Sequence, residues 1–193
     1  MSNLKHVMAN YGFAFGNPAK DYAIKIATEQ ITGIPIESKT FPDMEKGHIQ
    51  EPIARELYER TFFVNVEIDN FYCNDKVGYS PDGGLSFIEK TGRHTGVIEI
   101  KARNYAAHYQ NVKRQNLEPE SKWQCIGALK YGEFEWLDFI SYCPEFPEDC
   151  QLFVHRAFPE QYEKEFDMID ERVEEFFQLV AETKATILNA KYF

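Results

Sequence analysis

Apolar residues recur at helical spacing in several stretches of the chain and alternate in others. Tyr22, Ala23, Ile26, Ala27 and Ile31 predict a helix from about Lys20 to Thr32, opened by Asn17-Pro18 and closed by Gly33 and Pro35. A second helix is expected from about Met44 to Arg60. Asp43 is its N-cap, and Ile49, Ile53, Leu57 and Phe62 mark its buried side. Pro52 lies inside this pattern and should bend or restart the helix. The centre reads as strands. Phe62–Asp69 carries Val64 and Val66 on one face, and Phe71–Tyr79 is broken by Asn74-Asp75. Ser80-Pro81-Asp82-Gly83-Gly84 reads as a turn. Leu85–Glu89 and Gly96–Ala102 then form a hairpin around Thr91-Gly92-Arg93. Helices follow from Tyr105 to about Arg114 and from Pro119 to Tyr131, then strands over Phe134–Tyr142 and Gln151–Arg156. One long amphipathic helix runs from Pro159 to the end, with Phe166, Ile169, Val173, Phe176, Phe177, Val180 and Ile187 along its apolar stripe. The first dozen residues carry no assignable pattern.

This order predicts an α/β or α+β fold with a central mixed β-sheet flanked by helices. The expected organisation is a single domain: an N-terminal helical segment (1–40), a core (41–158) and a long C-terminal helix (159–193). The chain has 193 residues, enough for a sizeable core, and no apolar run long enough to span a membrane. Met1–Lys20 holds no apolar signal-peptide core, so a cytoplasmic protein with reduced thiols is expected. Cys73, Cys125, Cys143 and Cys150 form neither CxxC nor a zinc-ligand pattern and are expected to be small buried apolar residues. His6, His48, His94, His108 and His155 stand singly, as packing or surface residues.

The net charge of −10 argues against a surface coated for nucleic acid, although a local groove can still be basic. From Lys101 to Lys130 six bases (Lys101, Arg103, Lys113, Arg114, Lys122, Lys130) face only Glu118 and Glu120. From Glu160 onward, nine carboxylates face four bases, the pattern of a solvated helix.

Familiar nucleotide-binding, nucleophile-elbow and zinc-protease motifs are missing. What remains is Asp82 on a tight turn and, 17 residues later, Glu99-Ile100-Lys101 closing an apolar strand. Glu99 and Lys101 project from one strand face, while Ile98 and Ile100 point into the core. The hairpin can bring Asp82 beside Glu99. Two converging carboxylates repel unless a cation lies between them, and hard oxygen ligands suit magnesium or manganese. A neighbouring lysine can position or deprotonate an attacking water. Glu51, just before Pro52, can lean over such a centre. The individual pieces are common: Glu37-Ser38-Lys39, Glu120-Ser121-Lys122 and Glu182-Thr183-Lys184 repeat the Glu-x-Lys spacing, so a surface hairpin with an incidental ion pair is the plain alternative.

The ordered set Gly47-x-x-x-Glu51-Pro52-x-Ala54-Arg55-x-Leu57-Tyr58-Glu59, then Tyr79-Ser80-Pro81-Asp82-Gly83, then Gly96-x-Ile98-Glu99-Ile100-Lys101 resembles the phage lambda exonuclease family, the YqaJ-type viral recombinases. Trp123-Gln124 and Trp136–Pro147 continue the likeness, which covers roughly residues 40 to 158. It implies a PD-(D/E)XK restriction-endonuclease-like core. It also implies a Mg²⁺-dependent exonuclease, Mn²⁺ substituting, with a pair of ions. The enzyme would degrade one strand of linear double-stranded DNA 5′ to 3′, act as a homotrimer ring and pass the single-stranded tail to an annealing protein for recombination.

By position, Asp82, Glu99, the Ile100 carbonyl and Glu51 would be metal ligands. Lys101 would activate or orient water, and Gln124 would approach the water or the scissile phosphate. Ser80, together with the basic set Arg103, Lys113, Arg114 and Lys122, would contact DNA. Asp75 is a candidate for a further ligand. No arginine precedes Arg55, so the family's N-terminal DNA-end arginines have no counterpart; Lys20, Lys25 and Lys39 are the nearest substitutes. A ring with an acidic exterior and a basic lumen would reconcile the total charge with DNA binding. An endonuclease or repair nuclease of the same fold, and a catalytically silent DNA-binding subunit, are the alternatives.

Overall fold

The structure is a computed structural model. It describes residues 2–36, 42–68, 71–73, 77–90 and 92–190, with the side chains of the second long helix described from Gly47 onward. The chain divides into two compact units: Thr40–Glu163, and a helical unit of Ser2–Lys39 with Lys164–Phe193.

The helical unit contains α1 (Leu4–Met8), α2 (Asn17–Thr32) and most of α6 (Glu163–Leu188). Alanines at 19, 23 and 27 are fully buried on α2, so its small-residue face makes the close contact. The expected stripe of α6 is buried at Ile169, Val173, Phe176 and Val180, whereas Ile187 is exposed. Tyr22 stacks on Phe176 at 5.4 Å between ring centroids. Arg172 is buried: its Nε donates to the Val7 carbonyl at 3.0 Å and its guanidinium lies 3.6 Å from the Phe15 ring centroid.

The larger unit is built on a four-stranded mixed sheet. β1 (Tyr72–Cys73) and β2 (Gly78–Tyr79) form a separate small hairpin. The main sheet contains β3 (Gly83–Ile88), β4 (Arg93–Ala102), β5 (Trp136–Tyr142) and β6 (Leu152–Ala157), in the order β3-β4-β5-β6. β4 pairs antiparallel with β3 and parallel with β5, and β5 pairs antiparallel with β6. A parallel neighbour needs a long crossover. Two helices supply it, α4 (Tyr105–Arg114) and α5 (Lys122–Gly132). Asn104 caps α4 by accepting from the Ala107 N–H at 2.9 Å.

Period-two alternation splits each central strand between two faces. Ile98, Ile100, Ile140 and Tyr142 pack in one cluster with Ala54 and Tyr58 of α3 (Pro42–Phe62). On the other face, Glu99 meets Gln124 of α5 and Ser141 meets His108 of α4.

α3 departs from expectation. Ile49, Ile53 and Phe62 are exposed, and Ala54 and Tyr58 form the buried side. The small Ala54 allows close approach, and Tyr58 reaches a buried polar partner. Its hydroxyl donates to Asp138 Oδ2 at 2.6 Å, and Arg156 engages both Asp138 oxygens at 2.7 Å. α3 also runs through Pro52 without a break, and Asp43 lies inside it, with its side chain outside the described set. The expected strand over Phe62–Asp69 is absent among the described residues. The helix takes Phe62, Phe63 adopts a left-handed φ of 54°, and the remainder makes only a bridge from Glu67 to Gly84.

The glycines of the expected turn already belong to β3. A Cβ on Gly83 would stand 2.1 Å from Val66 Cγ1, and one on Gly84 2.5 Å from the His94 ring. They are needed for close approach rather than for turning. Cys125 and Cys143 are buried as expected, but Cys73 and Cys150 are exposed. Among the described residues no helix is long and apolar enough to cross a membrane.

Tyr58→Phe removes one donor from the buried Asp138 carboxylate and leaves the ring in place. It is expected to lower unfolding stability by about 1.5–3 kcal/mol, measured by urea denaturation, without changing the m-value.

Candidate active site

The C-terminal half of β4 carries a buried carboxylate. Glu99 is 1% exposed and accepts three hydrogen bonds. Oε1 receives Lys101 Nζ at 2.5 Å and Gln124 Nε2 at 2.6 Å, and Oε2 receives the Tyr79 hydroxyl at 3.1 Å. Glu99 and Lys101 therefore share a strand face as expected, and α5 brings Gln124 onto the same carboxylate.

Asp82 is attached to the same strand. Its N–H donates to the Ile98 carbonyl at 3.1 Å, and its Oδ2 accepts the Ile100 N–H at 2.6 Å. The Ile100 side chain is buried in the core. Among the described residues, Asp82 Oδ1 accepts no hydrogen bond. Glu51 approaches from α3, where Arg55 pairs with its Oε1. Arg55 Nε also donates to the Asp82 carbonyl at 3.1 Å.

Asp82 and Glu99 thus converge, and Glu51 stands close enough for its charge to act on Asp82. Burial, then the charge of Glu99, push the Asp82 carboxyl up to about 8, with Glu51 adding to the effect. Burial alone would lower the Lys101 amine, but Glu99 overrides it and raises the pKa, so Lys101 stands as an ammonium. Burial and Glu99 raise the Tyr79 phenol well above its ordinary value, keeping it a donor. Among the described residues no three His, Cys, Asp or Glu side chains form a ready cage for a metal. The hard oxygens of Asp82 and Glu99 nevertheless fit a magnesium-like ion, and a cation there would relieve the repulsion that holds the Asp82 proton.

Next to Lys101 a cleft of about 550 Å³ opens, lined by Gly47, Arg103, Asn104, Gln110, Arg114 and Glu118 among others. Arg103 is not an unpaired cation: its Nε donates to Glu118 Oε2 at 2.9 Å, and Nη2 also pairs with this carboxylate. Asn111 and Ser121 donate to Glu118 as well, at 3.0 and 2.5 Å. Arg114 holds Asn111 Oδ1 at 2.7 Å. Lys113 is exposed on α4, Lys122 stands 5.1 Å from the Trp123 ring centroid, and Ser80 is exposed beside Pro81. Asp75 lies outside the described residues, as does Lys39.

Residues 13–134 match the YqaJ-like viral recombinase domain. The chain belongs to this family. The match begins earlier and ends sooner than the 40–158 stretch singled out by motif. No curated protein matches the chain. Solved structures similar to this YqaJ-like domain include the alkaline exonuclease LHK-Exo of Laribacter hongkongensis. It is 24% identical, with a TM-score of 0.76, over 96% of this chain and 89% of that one. The same enzyme in complex with dAMP matches at 25% identity and TM-score 0.76, with the same coverage. A phage-related exonuclease of Haemophilus somnus matches at 12% identity and TM-score 0.73, over 96% of this chain and 94% of that one. The YqaJ-like domain therefore has the nuclease fold of these proteins, as the motifs implied.

Motif reasoning gave roles to Asp82, Glu99, Lys101, Glu51 and Gln124, and it contained Tyr79 and Arg55 without giving them any. Arg55 had a signal, since it stands one helical turn after Glu51. Tyr79 opens the motif that holds Asp82, but its contact with Glu99 depends on how the β1–β2 pair packs.

With Asp82 shifted up in the folded state, its proton is held more tightly there than in the unfolded chain, where the pKa is about 3.9. The resulting stabilisation is complete below about pH 4 and is lost as pH rises through about 8. Asp82→Asn, which cannot ionise, should therefore melt higher than the wild type at pH 9 in EDTA, by several degrees. The advantage should disappear at pH 4, as read by thermal denaturation.

Proposed function

We propose that this chain is a metal-dependent exonuclease acting on linear double-stranded DNA. The observation that carries the proposal is the meeting of Asp82, Glu99 and Lys101 at one end of β4, with Gln124 and Glu51 brought in from two helices. Family membership and exonuclease relatives, one of them solved with dAMP, support the same reading.

Asp82, Glu99 and Glu51, with the Ile100 carbonyl, would hold Mg²⁺ or Mn²⁺, two ions in the full site. Bound there, divalent metal supplies charge neutralisation at the phosphate and a lowered pKa for the attacking water. Lys101, held as an ammonium by Glu99, suits donation to that water or to the non-bridging phosphate oxygen rather than proton abstraction. Gln124 can bridge Glu99 and the water through its amide. Asp82 must lose its proton before it can bind metal, so metal binding should weaken as pH falls.

DNA phosphates would run along the cleft beside Lys101. Arg114, Lys113, Lys122 and Ser80 contact the backbone, while Arg103, tied to Glu118, shapes the wall and acts on the phosphate more weakly. The strand polarity we assign is 5′ to 3′. The single-stranded tail goes to an annealing protein for recombination, and the assembly is a homotrimer ring. These assignments rest on the family motifs.

The test is digestion of 5′-labelled and 3′-labelled linear duplex, beside closed-circular duplex, with and without Mg²⁺. Early release of the 5′ label, no attack on circles and silence in EDTA are expected. Cutting of circles would replace the exonuclease with an endonuclease, and turnover in excess EDTA would remove the metal mechanism. Lys101→Ala should lose about 10²–10⁴-fold in kcat and, because it strips buried Glu99 of its cation, should also unfold at a lower urea concentration; the kinetic loss is read without urea, where circular dichroism shows the variant folded.

A further inference from the structure

Arg55 stands outside the ligand set and touches two members of it. Its side chain is 15% exposed, and it spans from α3 to the turn before β3. Nη2 pairs with Glu51 Oε1 one helical turn away, and Nε donates to the Asp82 main-chain carbonyl at 3.1 Å. Among the described residues, Glu51 Oε2 and Asp82 Oδ1 accept no hydrogen bond. One planar guanidinium thus occupies the inner oxygen of Glu51 and grips the backbone that carries Asp82, and it leaves one oxygen of each carboxylate available.

We propose that Arg55 is a positioning residue that couples Glu51 to the Asp82 turn, so that their unengaged oxygens face a common divalent cation. The proposal rests on the metal-site reading above. Neither carboxylate is otherwise fixed to the other's element: Asp82 is attached to β4, and Glu51 belongs to α3. Without this brace the Glu51 side chain would sample several rotamers, and ordering it would weaken metal binding. Lysine cannot substitute, because a single ammonium on a flexible stem lacks the fork that reaches two acceptors held in fixed directions. The contact with the Asp82 carbonyl also separates this role from that of an exposed arginine waiting for phosphate, since two of its donors are already engaged inside the fold.

The experiment is Mn²⁺ titration of the full chain by calorimetry, without DNA, together with steady-state kinetics on linear duplex over a range of salt. Arg55→Ala and Arg55→Lys should each weaken Mn²⁺ binding about 10–100-fold, with KM for DNA at saturating Mn²⁺ and its salt slope unchanged. Arg55→Lys retains the charge and most of the side-chain volume, so it answers the question even if Arg55→Ala unfolds. Glu51→Gln combined with Arg55→Lys should bind Mn²⁺ no more weakly than Glu51→Gln alone, because both act through one carboxylate. Wild-type Mn²⁺ affinity in Arg55→Lys, fully additive losses in the double variant, or a raised KM with a shallower salt slope as the only change would each overturn the proposal. Asp82→Asn serves as the reference. If it retains wild-type Mn²⁺ binding, the metal site itself is wrong; if it loses binding while Arg55→Lys does not, only the role of Arg55 falls.

Discussion

Placing a carboxylate in the interior next to a second carboxylate is unfavourable unless donors replace the lost water, and the larger unit is arranged around that constraint. Glu99 is almost completely buried on the central strand, and its three donors come from β4 itself, from α5 and from the β2 end of the small hairpin. Asp82 is fixed by main-chain bonds to the residues on either side of Glu99. If β4 slipped by one residue, Glu99 would face the apolar cluster and Ile98 or Ile100 would face the polar cleft. Pairing on both sides of β4, antiparallel to β3 and parallel to β5, therefore maintains the chemistry as well as the sheet.

The crossover between β4 and β5 is secured by a second buried polar network. His108 Nε2 faces the Cys150 carbonyl at 3.1 Å and can only donate there, so Nδ1 accepts from the Ser141 hydroxyl at 2.9 Å. Asn111 donates to Ser141 and to Glu118, and Glu118 holds Arg103. The chain of contacts runs from β5 through α4 to the residue two after Lys101. It fixes where α4 leaves the strand, and with it the wall of the cleft.

Much of this was readable in the residues. Gly96–Ile100 is an apolar run broken only by Glu99 because β4 is covered on both faces, and Tyr105–Arg114 is bounded by a capping asparagine and a left-handed residue at Gln115. The site was legible because its acids and its lysine sit on or beside that strand. The buried side of α3 was not. Its exposed isoleucines carry the apolar pattern, while the true contact uses alanine, a tyrosine whose hydroxyl reaches Asp138, and the stem of an arginine. Hydrophobic periodicity cannot register an interface held by small and polar groups. The expected strand at Val64 and Val66 failed for a related reason: Val66 fills the space over Gly83 and Val64 packs on the core cluster without joining the sheet.

The ion pairs separate two kinds of acid. Glu118 and Asp138 are buried, and each is matched by an arginine, Arg103 and Arg156. Glu99 is matched by Lys101, and Glu51 by Arg55. Asp82 differs: among the described residues its carboxylate receives a neutral amide N–H and no ion pair within 4.0 Å. The nearest guanidinium turns instead to its main-chain carbonyl. Burial, and then the charge of Glu99, hold its proton to about pH 8. A fold that supplies a base to each of these other acids, yet leaves this one to a proton, sets a displaceable proton where the strand, the turn and two helices meet. The total charge of −10 says nothing of this. What matters for a polyanionic substrate is that Asp82 lies beside an ammonium, and that the strand carrying that ammonium leads into a cleft lined by Arg103 and Arg114, so charge brought by a cation would act at the place where a phosphate can arrive.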